Sequence, residues 1–158
     1  MKIADATLGA LLEHWPVARL ATLTPAGAPH VLPVVFAAEA DCIFSPVDGK
    51  RKDTARLARV RNVESHGRAS LLLDAYSDDW RELWWVRLDG PAWVERDDSD
   101  LLERVAAALH RKYPQYREFA TYAGAPTLLA LRWERLAAWS QAGDDGPIRQ
   151  AVQVLHPS

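Results

Sequence analysis

Residues Leu83 to Val94 read LWWVRLDGPAWV. The run alternates with a period of two: Trp84, Val86 and Leu88 fall on one side, Trp85, Arg87 and Asp89 on the other. It reads as a long strand interrupted at Gly90-Pro91. A break of that kind is a bulge or bend that lets a sheet curl toward a barrel. The rest of the chain is read outward from this strand.

Upstream, Ala69 to Asp74 (ASLLLD) is a buried type of strand, and Tyr76 to Arg81 is a polar loop. Downstream, Asp100 to Tyr113 is a helix whose apolar stripe is Leu102, Val105, Ala106, Leu109 and Tyr113. Asp100-x-x-Glu103 resembles a capping box at its start, and Pro114 ends it. Pro114 to Ala125 is irregular or briefly helical. Thr127 to Ser140 alternates as the last long strand. Gly143 to Gly146 reads as a loop, and the tail as loose, with room for a short strand at Ala151 to Leu155.

Nearer the N-terminus, Asp5 to His14 reads as an amphipathic helix carrying Leu8, Leu11 and Leu12 on one face, stopped by Pro16. Val17 to Leu23 and Val31 to Phe36 are strands joined by the turn Thr24-Pro25-Ala26-Gly27. Pro33 has no N–H for a ladder, which places it at an edge or a bulge. Ala38 to Asp41 turns the chain into Cys42-Ile43-Phe44. Asp53 or Thr54 can cap a further helix running to about Glu64. The sum is about six strands and three helices with mostly hairpin neighbours. That is an α+β, mainly β arrangement: an antiparallel barrel with helices packed outside it.

Composition bounds the function. The chain has 158 residues, 49% apolar and 25% charged, which suits one globular domain spanning 1–158. Lys and Arg number 19 against 21 Asp and Glu, for a net charge of −2, unlike a general nucleic-acid binder. One cysteine, Cys42, allows no intrachain disulfide and suits a reducing cytoplasm. At the start of an apolar strand it reads as buried filler. No signal peptide or membrane-length apolar run is evident. None of the five His sits at metal-ligand spacing, and no nucleophile elbow, Walker A loop or G-x-G-x-x-G is present. Seven Trp residues are a surplus suited to a subunit contact or a planar ligand.

The segment Phe44 to Asn62 (FSPVDGKRKDTARLARVRN) carries the most chemistry. Of the twelve residues from Lys50 to Arg61, six are basic: Lys50, Arg51, Lys52, Arg56, Arg59 and Arg61. A strand exit that empties into a cationic loop at a helix start is an anion cradle, because backbone N–H groups and the helix dipole favour negative charge there. A solvated helix face is the competing reading of the same charges.

The pieces ARLATLTPAGAPHVLPVVF, IFSPVDGKRK, ARLARVRN, ASLLLD and WWVRLDGPAWV, in that order, resemble the pyridoxamine 5′-phosphate oxidase-like split-barrel family. The likeness spans about residues 15–140 and is nearest the branch of deazaflavin-dependent enzymes. It implies a six-stranded antiparallel split β-barrel with flanking helices. It also implies a homodimer with two cofactor sites at the subunit interface. On this resemblance Arg51 and Lys52, with Lys50 adjacent, bind the cofactor phosphate, and Ser45 is the polar residue ending the third strand. Pro33, Val34 and Val35 lie along the flavin ring, and Trp139 is the late aromatic of the last strand. Trp85 stands near a position where the flavin oxidases carry Gln. That departure replaces a polar contact with an indole and points away from true pyridoxamine 5′-phosphate oxidase activity. Dimer core is the competing role for Trp85 and Trp139.

The expectation is therefore a cytoplasmic oxidoreductase using FMN or the deazaflavin coenzyme F420 on a small-molecule redox substrate, with no nucleic-acid or membrane partner. The cofactor would carry the chemistry, and no side chain is named as acid or base. A non-catalytic carrier or sensor of the same cofactor is the alternative. A third reading is an interaction module whose cofactor site has decayed.

Overall fold

The structure of the chain, a computed structural model, describes residues 1–47, 54–122 and 124–155, with 54–57 described through their backbone. Its elements run α1 (Asp5–His14), β1 (Ala18–Leu23), β2 (Pro29–Val34), β3 (Ala37–Glu39), β4 (Cys42–Pro46) and α2 (Thr54–His66). They continue with β5 (Arg68–Ala75), β6 (Trp84–Glu95), α3 (Ser99–Lys112), β7 (Leu128–Arg132), β8 (Arg135–Ser140) and α4 (Gly146–Leu155). The strands pair antiparallel along the path β2-β1-β5-β6-β7-β4-β3, with β8 also on β6. This is the antiparallel split barrel with flanking helices.

The strand that makes the sheet turn is β6. Its first half, Trp84 to Asp89, pairs with β8, and its last residues, Ala92 to Glu95, pair with β7. Asp89 faces Arg135 and Ala92 faces Leu131, so three steps on β6 meet four on the opposing chain. The extra residue is taken up at Trp133-Glu134, opposite Gly90-Pro91, and the single strand expected over Thr127–Ser140 is thereby split in two. A Cβ on Gly90 would run into the backbone carbonyl of Arg132, so only glycine admits this close approach.

The alternation read from the sequence decides what is inside. Trp84, Val86 and Leu88 are buried, whereas Arg87 on the other face is exposed. Leu20, Ile43, Leu71 and Leu131 fill the space between the sheets, leaving about 10 Å³ unfilled. Burial of each such side chain contributes about 1.5–3 kcal/mol. Helices α1 and α4 join this core through Leu11, Leu12, Ile148 and Val152, and the ring of Trp15 meets Trp84 edge-on at 4.8 Å. Helix α3 makes a second core, setting Leu102, Val105 and Leu109 against Phe44, Leu128 and Ala130.

Four local readings are corrected. Among the described residues there are eight strands rather than about six, because β3 is a short strand within the expected turn and the last strand is divided. The chain reverses after β3 at Ala40, which takes φ 54°. Helix α3 is capped by Asp98, whose side chain accepts from the Leu101 N–H, and not by the Asp100 box. The tail is the helix α4: Ile148 and Val152 are four residues apart on one buried face, a helical period hidden by the β-branched Val152 and Val154.

Candidate functional site

The ends of β2 and β4 and the start of β1 enclose a pocket of about 240 Å³. Pro33, Val34 and Val35 line it from β2 and the residue beyond, Ser45 and Pro46 from β4, with Val17 and Arg59 completing the wall. Strand β2 is a sheet edge, paired only with β1 among the described residues. Its backbone groups alternate in direction, so every second pair of N–H and C=O groups faces away from β1. Pro33 sits on this edge strand, where its missing N–H is tolerated. Ser45 is buried at 4% exposure and Val34 at 6%, so the inner wall is firm while Pro33 is open.

Four of the residues singled out in the sequence, Pro33, Val34, Val35 and Ser45, thus meet at one place. Lys50, Arg51 and Lys52 lie outside the described residues, as does Asp53. Pro46 and Arg59 flank that segment in sequence and both line the pocket. Arg59, which the sequence left open between an anion contact and a solvated helix face, is half-buried, and its Nη2 donates to the Pro46 carbonyl at 3.1 Å.

A second residue the sequence did not assign fixes the β2 end. The Tyr113 hydroxyl accepts from the Phe36 N–H and donates to the Phe36 carbonyl, each at 3.1 Å. Both backbone groups of the residue after Val35 are thereby satisfied by one side chain. Burial pushes the Tyr113 hydroxyl up to about 12, so it stays a donor across the ordinary pH range.

Trp85 and Trp139 are not in this pocket. They are cross-strand partners on β6 and β8 and line a separate groove of about 450 Å³ with Leu72, Asp74, Tyr76 and Arg87. The register places Pro33, Arg19, Leu72, Arg87 and Ala137 in one row across five strands. Trp85, two residues from Arg87, therefore shares the outer face with Pro33. Three strand spacings separate β2 from β6, or roughly 14 Å. The face also presents Val31 at 60% exposure and Trp139 at 40%. Its charges are partly paired, Arg19 with Asp74 at 3.4 Å and Arg87 with Asp89 at 3.0 Å.

Cys42 is half-buried, and burial, aided by Asp41, pushes its thiol up to about 11, the behaviour of filler rather than of a nucleophile. No helix among the described residues is long and apolar enough to cross a membrane.

The architecture defines the chain as an antiparallel split barrel. The profile of the pyridoxamine 5′-phosphate oxidase family matches residues 4–153, and the chain belongs to that family. Among curated protein sequences none matches. Solved structures share the fold. The conserved hypothetical protein Rv2991 from Mycobacterium tuberculosis is 19% identical with a TM-score of 0.71, over 89% of this chain and 86% of that one. The heme storage protein HutZ from Vibrio cholerae is 17% identical with a TM-score of 0.68, over 88% and 95%. An FAD-binding protein from Mesorhizobium loti is 15% identical with a TM-score of 0.62, over 86% and 94%.

Proposed function

We propose that the protein is an oxidoreductase that holds a flavin-type cofactor, FMN or the deazaflavin, at the β2–β4 pocket of a homodimer. The observation that carries this reading is the convergence of Pro33, Val34, Val35 and Ser45 on one pocket also lined by Pro46 and Arg59, which stand before and after Lys50, Arg51 and Lys52 in sequence. The outward backbone groups of edge strand β2 suit the polar rim of a flat heteroaromatic ring. Arg51 and Lys52 would hold the phosphate, with Lys50 adjacent, through charge-assisted hydrogen bonds. Ser45 would add a hydroxyl at the inner wall.

The pocket in one chain, at about 240 Å³, falls below the 300–1,000 Å³ usual for ligands of this size. A second copy docked on the outer face would enlarge it. That face carries Pro33 together with the exposed Trp139 and half-buried Trp85, so the pair from the partner would close over the ring. Aromatic side chains of this kind supply large contact area at interfaces.

A bound flavin or deazaflavin supplies hydride transfer. The chain's own residues bind and orient it, and the tryptophans exclude water. The described lining includes no carboxylate or imidazole, so no proton is assigned to a side chain here. The same absence keeps the carrier or sensor reading beside the enzyme reading. HutZ invites a haem alternative, but an axial His, Cys, Met or Tyr is needed for haem iron. None occurs among the described lining residues or in the segment 48–53, DGKRKD.

Titration of the purified protein with FMN, the deazaflavin and haem, followed by absorbance and fluorescence, tests the reading. Saturable binding of either flavin-type molecule is expected; binding of haem alone would overturn it. Cofactor-dependent turnover of a panel of quinones and unsaturated ketones then separates enzyme from carrier.

A further inference from the structure

Beyond Phe36 from the β2–β4 pocket lies a groove of about 520 Å³ between α1, the β3 region and α3. Both helices pack on β3, and the groove exists because its floor is small: Gly9, Ala37, Ala38, Ala40 and Ala108. Its charged wall is Glu13 and His14 from α1 and Arg111 and Lys112 from α3.

Lys112 is held in an unusual way for a lysine. Its Nζ donates to the Leu12 carbonyl at 2.8 Å and lies 3.5 Å from the centre of the Phe36 ring. Among the described residues it forms no ion pair with a carboxylate. Glu39, the acid on β3, pairs instead with Arg104 at 3.0 Å. Glu13 lies 3.8 Å from His14. Burial brings the ammonium down to about 7, against a smaller upward pull from Glu13. Burial thus raises the neutral, nucleophilic share of the amine above that of an ordinary lysine, which is almost wholly protonated near pH 7, while the Leu12 carbonyl and the Phe36 ring favour the charged form.

From this geometry we infer that the α1–α3 groove is a covalent capture site for small carbonyl compounds bearing a carboxylate, with Lys112 as the nucleophile and Arg111 as the anion partner. The neutral amine adds to the carbonyl carbon, forming a C–N bond and a carbinolamine. Loss of the carbonyl oxygen as water, with the two amine hydrogens, leaves an imine. No oxidant or reductant is consumed. Arg111 is exposed and forms no ion pair among the described residues, so its guanidinium is available to the carboxylate.

The test uses glyoxylate at pH 7 with cyanoborohydride to reduce any imine, and peptide mass analysis to locate the product. The chain has four lysines, and Lys2 is the internal reference. The expected result is alkylation of Lys112 at least about tenfold faster than Lys2, given the difference in neutral fraction. Its rate should level off above about pH 8, while that of Lys2 keeps rising. Relative to Lys2, glyoxylate should be favoured over acetaldehyde at Lys112, and Arg111→Ala should remove that preference. Lys112→Arg retains the cation over Phe36 and should fold while giving no product at that position. Alkylation of Lys112 no faster than Lys2 would overturn the capture site. Equal preference for the two aldehydes in the parent would overturn the carboxylate assignment.

Discussion

Arg59 Nη2 donates to the Pro46 carbonyl at 3.1 Å, joining the first half of α2 to the end of β4. The two residues stand before and after Lys50, Arg51 and Lys52 in sequence and lie on the wall of the same pocket. The contact therefore ties the place where the ring is proposed to sit to the place where the phosphate is proposed to be held. Arg59→Ala removes this tie and one cation from the wall. Cofactor affinity should fall about tenfold, as expected when an anionic ligand loses one wall cation worth about 1.5 kcal/mol. Fluorescence titration measures it, and the far-ultraviolet circular dichroism should be unchanged.

Tyr113 bridges both backbone groups of Phe36. Tyr113→Phe keeps the ring and leaves the buried Phe36 N–H without its acceptor. An unpaired buried group costs about 1–3 kcal/mol. Urea unfolding should show a loss of that size. Cofactor affinity should fall as well, because the chain just past Val35 loses its anchor.

The outer face of β2, β1, β5, β6 and β8 should be the dimer contact. Trp139 is 40% exposed in the single chain, so Trp139→Glu places a charge where the monomer tolerates it and an interface does not. Sedimentation equilibrium should show the dimer weakened by about 2–4 kcal/mol, the range of an interfacial aromatic anchor. A variant as tightly dimeric as the parent would place the contact elsewhere.

Asp145 fastens the N-terminal segment to α4. Its Oδ2 accepts from Thr7 Oγ1 at 2.7 Å and from the Ala4 N–H at 3.1 Å, and it pairs with Arg149. The Thr7 bond, then the Ala4 N–H, holds this carboxyl below the usual range. A folded value below the unfolded one means stability that is present above about pH 4 and is lost as pH falls through the folded value. Asp145→Asn should therefore unfold at lower urea than the parent at pH 7, with the gap narrowing below pH 4. A gap independent of pH would contradict this role.

Much of the fold was legible because its signals are local. The alternation around Trp84 to Leu88, the Thr24 to Gly27 turn and the stripe of α3 each depend on neighbours within a few residues. At the turn, the Gly27 N–H donates to the Thr24 carbonyl at 2.7 Å with Gly27 at φ 82°. The Gly90-Pro91 break was visible as a break, but not that β6 changes partner there, since that depends on where Arg132 and Glu134 arrive from forty residues away. Pro33 to Val35 and Ser45 could be named together through the family resemblance. Arg59 could not, because a helix arginine in a basic run looks the same whether it faces solvent or a pocket. Tyr113 was read as one more apolar residue of its stripe; the bond to Phe36 spans 77 residues and leaves no local trace.

The central claim is that the basic segment holds the phosphate of a flavin-type cofactor whose ring lies on Pro33 to Val35. The most direct measurement compares FMN with riboflavin, which lacks the phosphate, in the parent and in Arg51→Ala/Lys52→Ala. The account predicts that the parent binds FMN more tightly than riboflavin by at least about a hundredfold, the worth of two charge-assisted contacts. The double variant should bind both with the same weak affinity. Equal affinities in the parent, or an undiminished preference for FMN in the double variant, would contradict it.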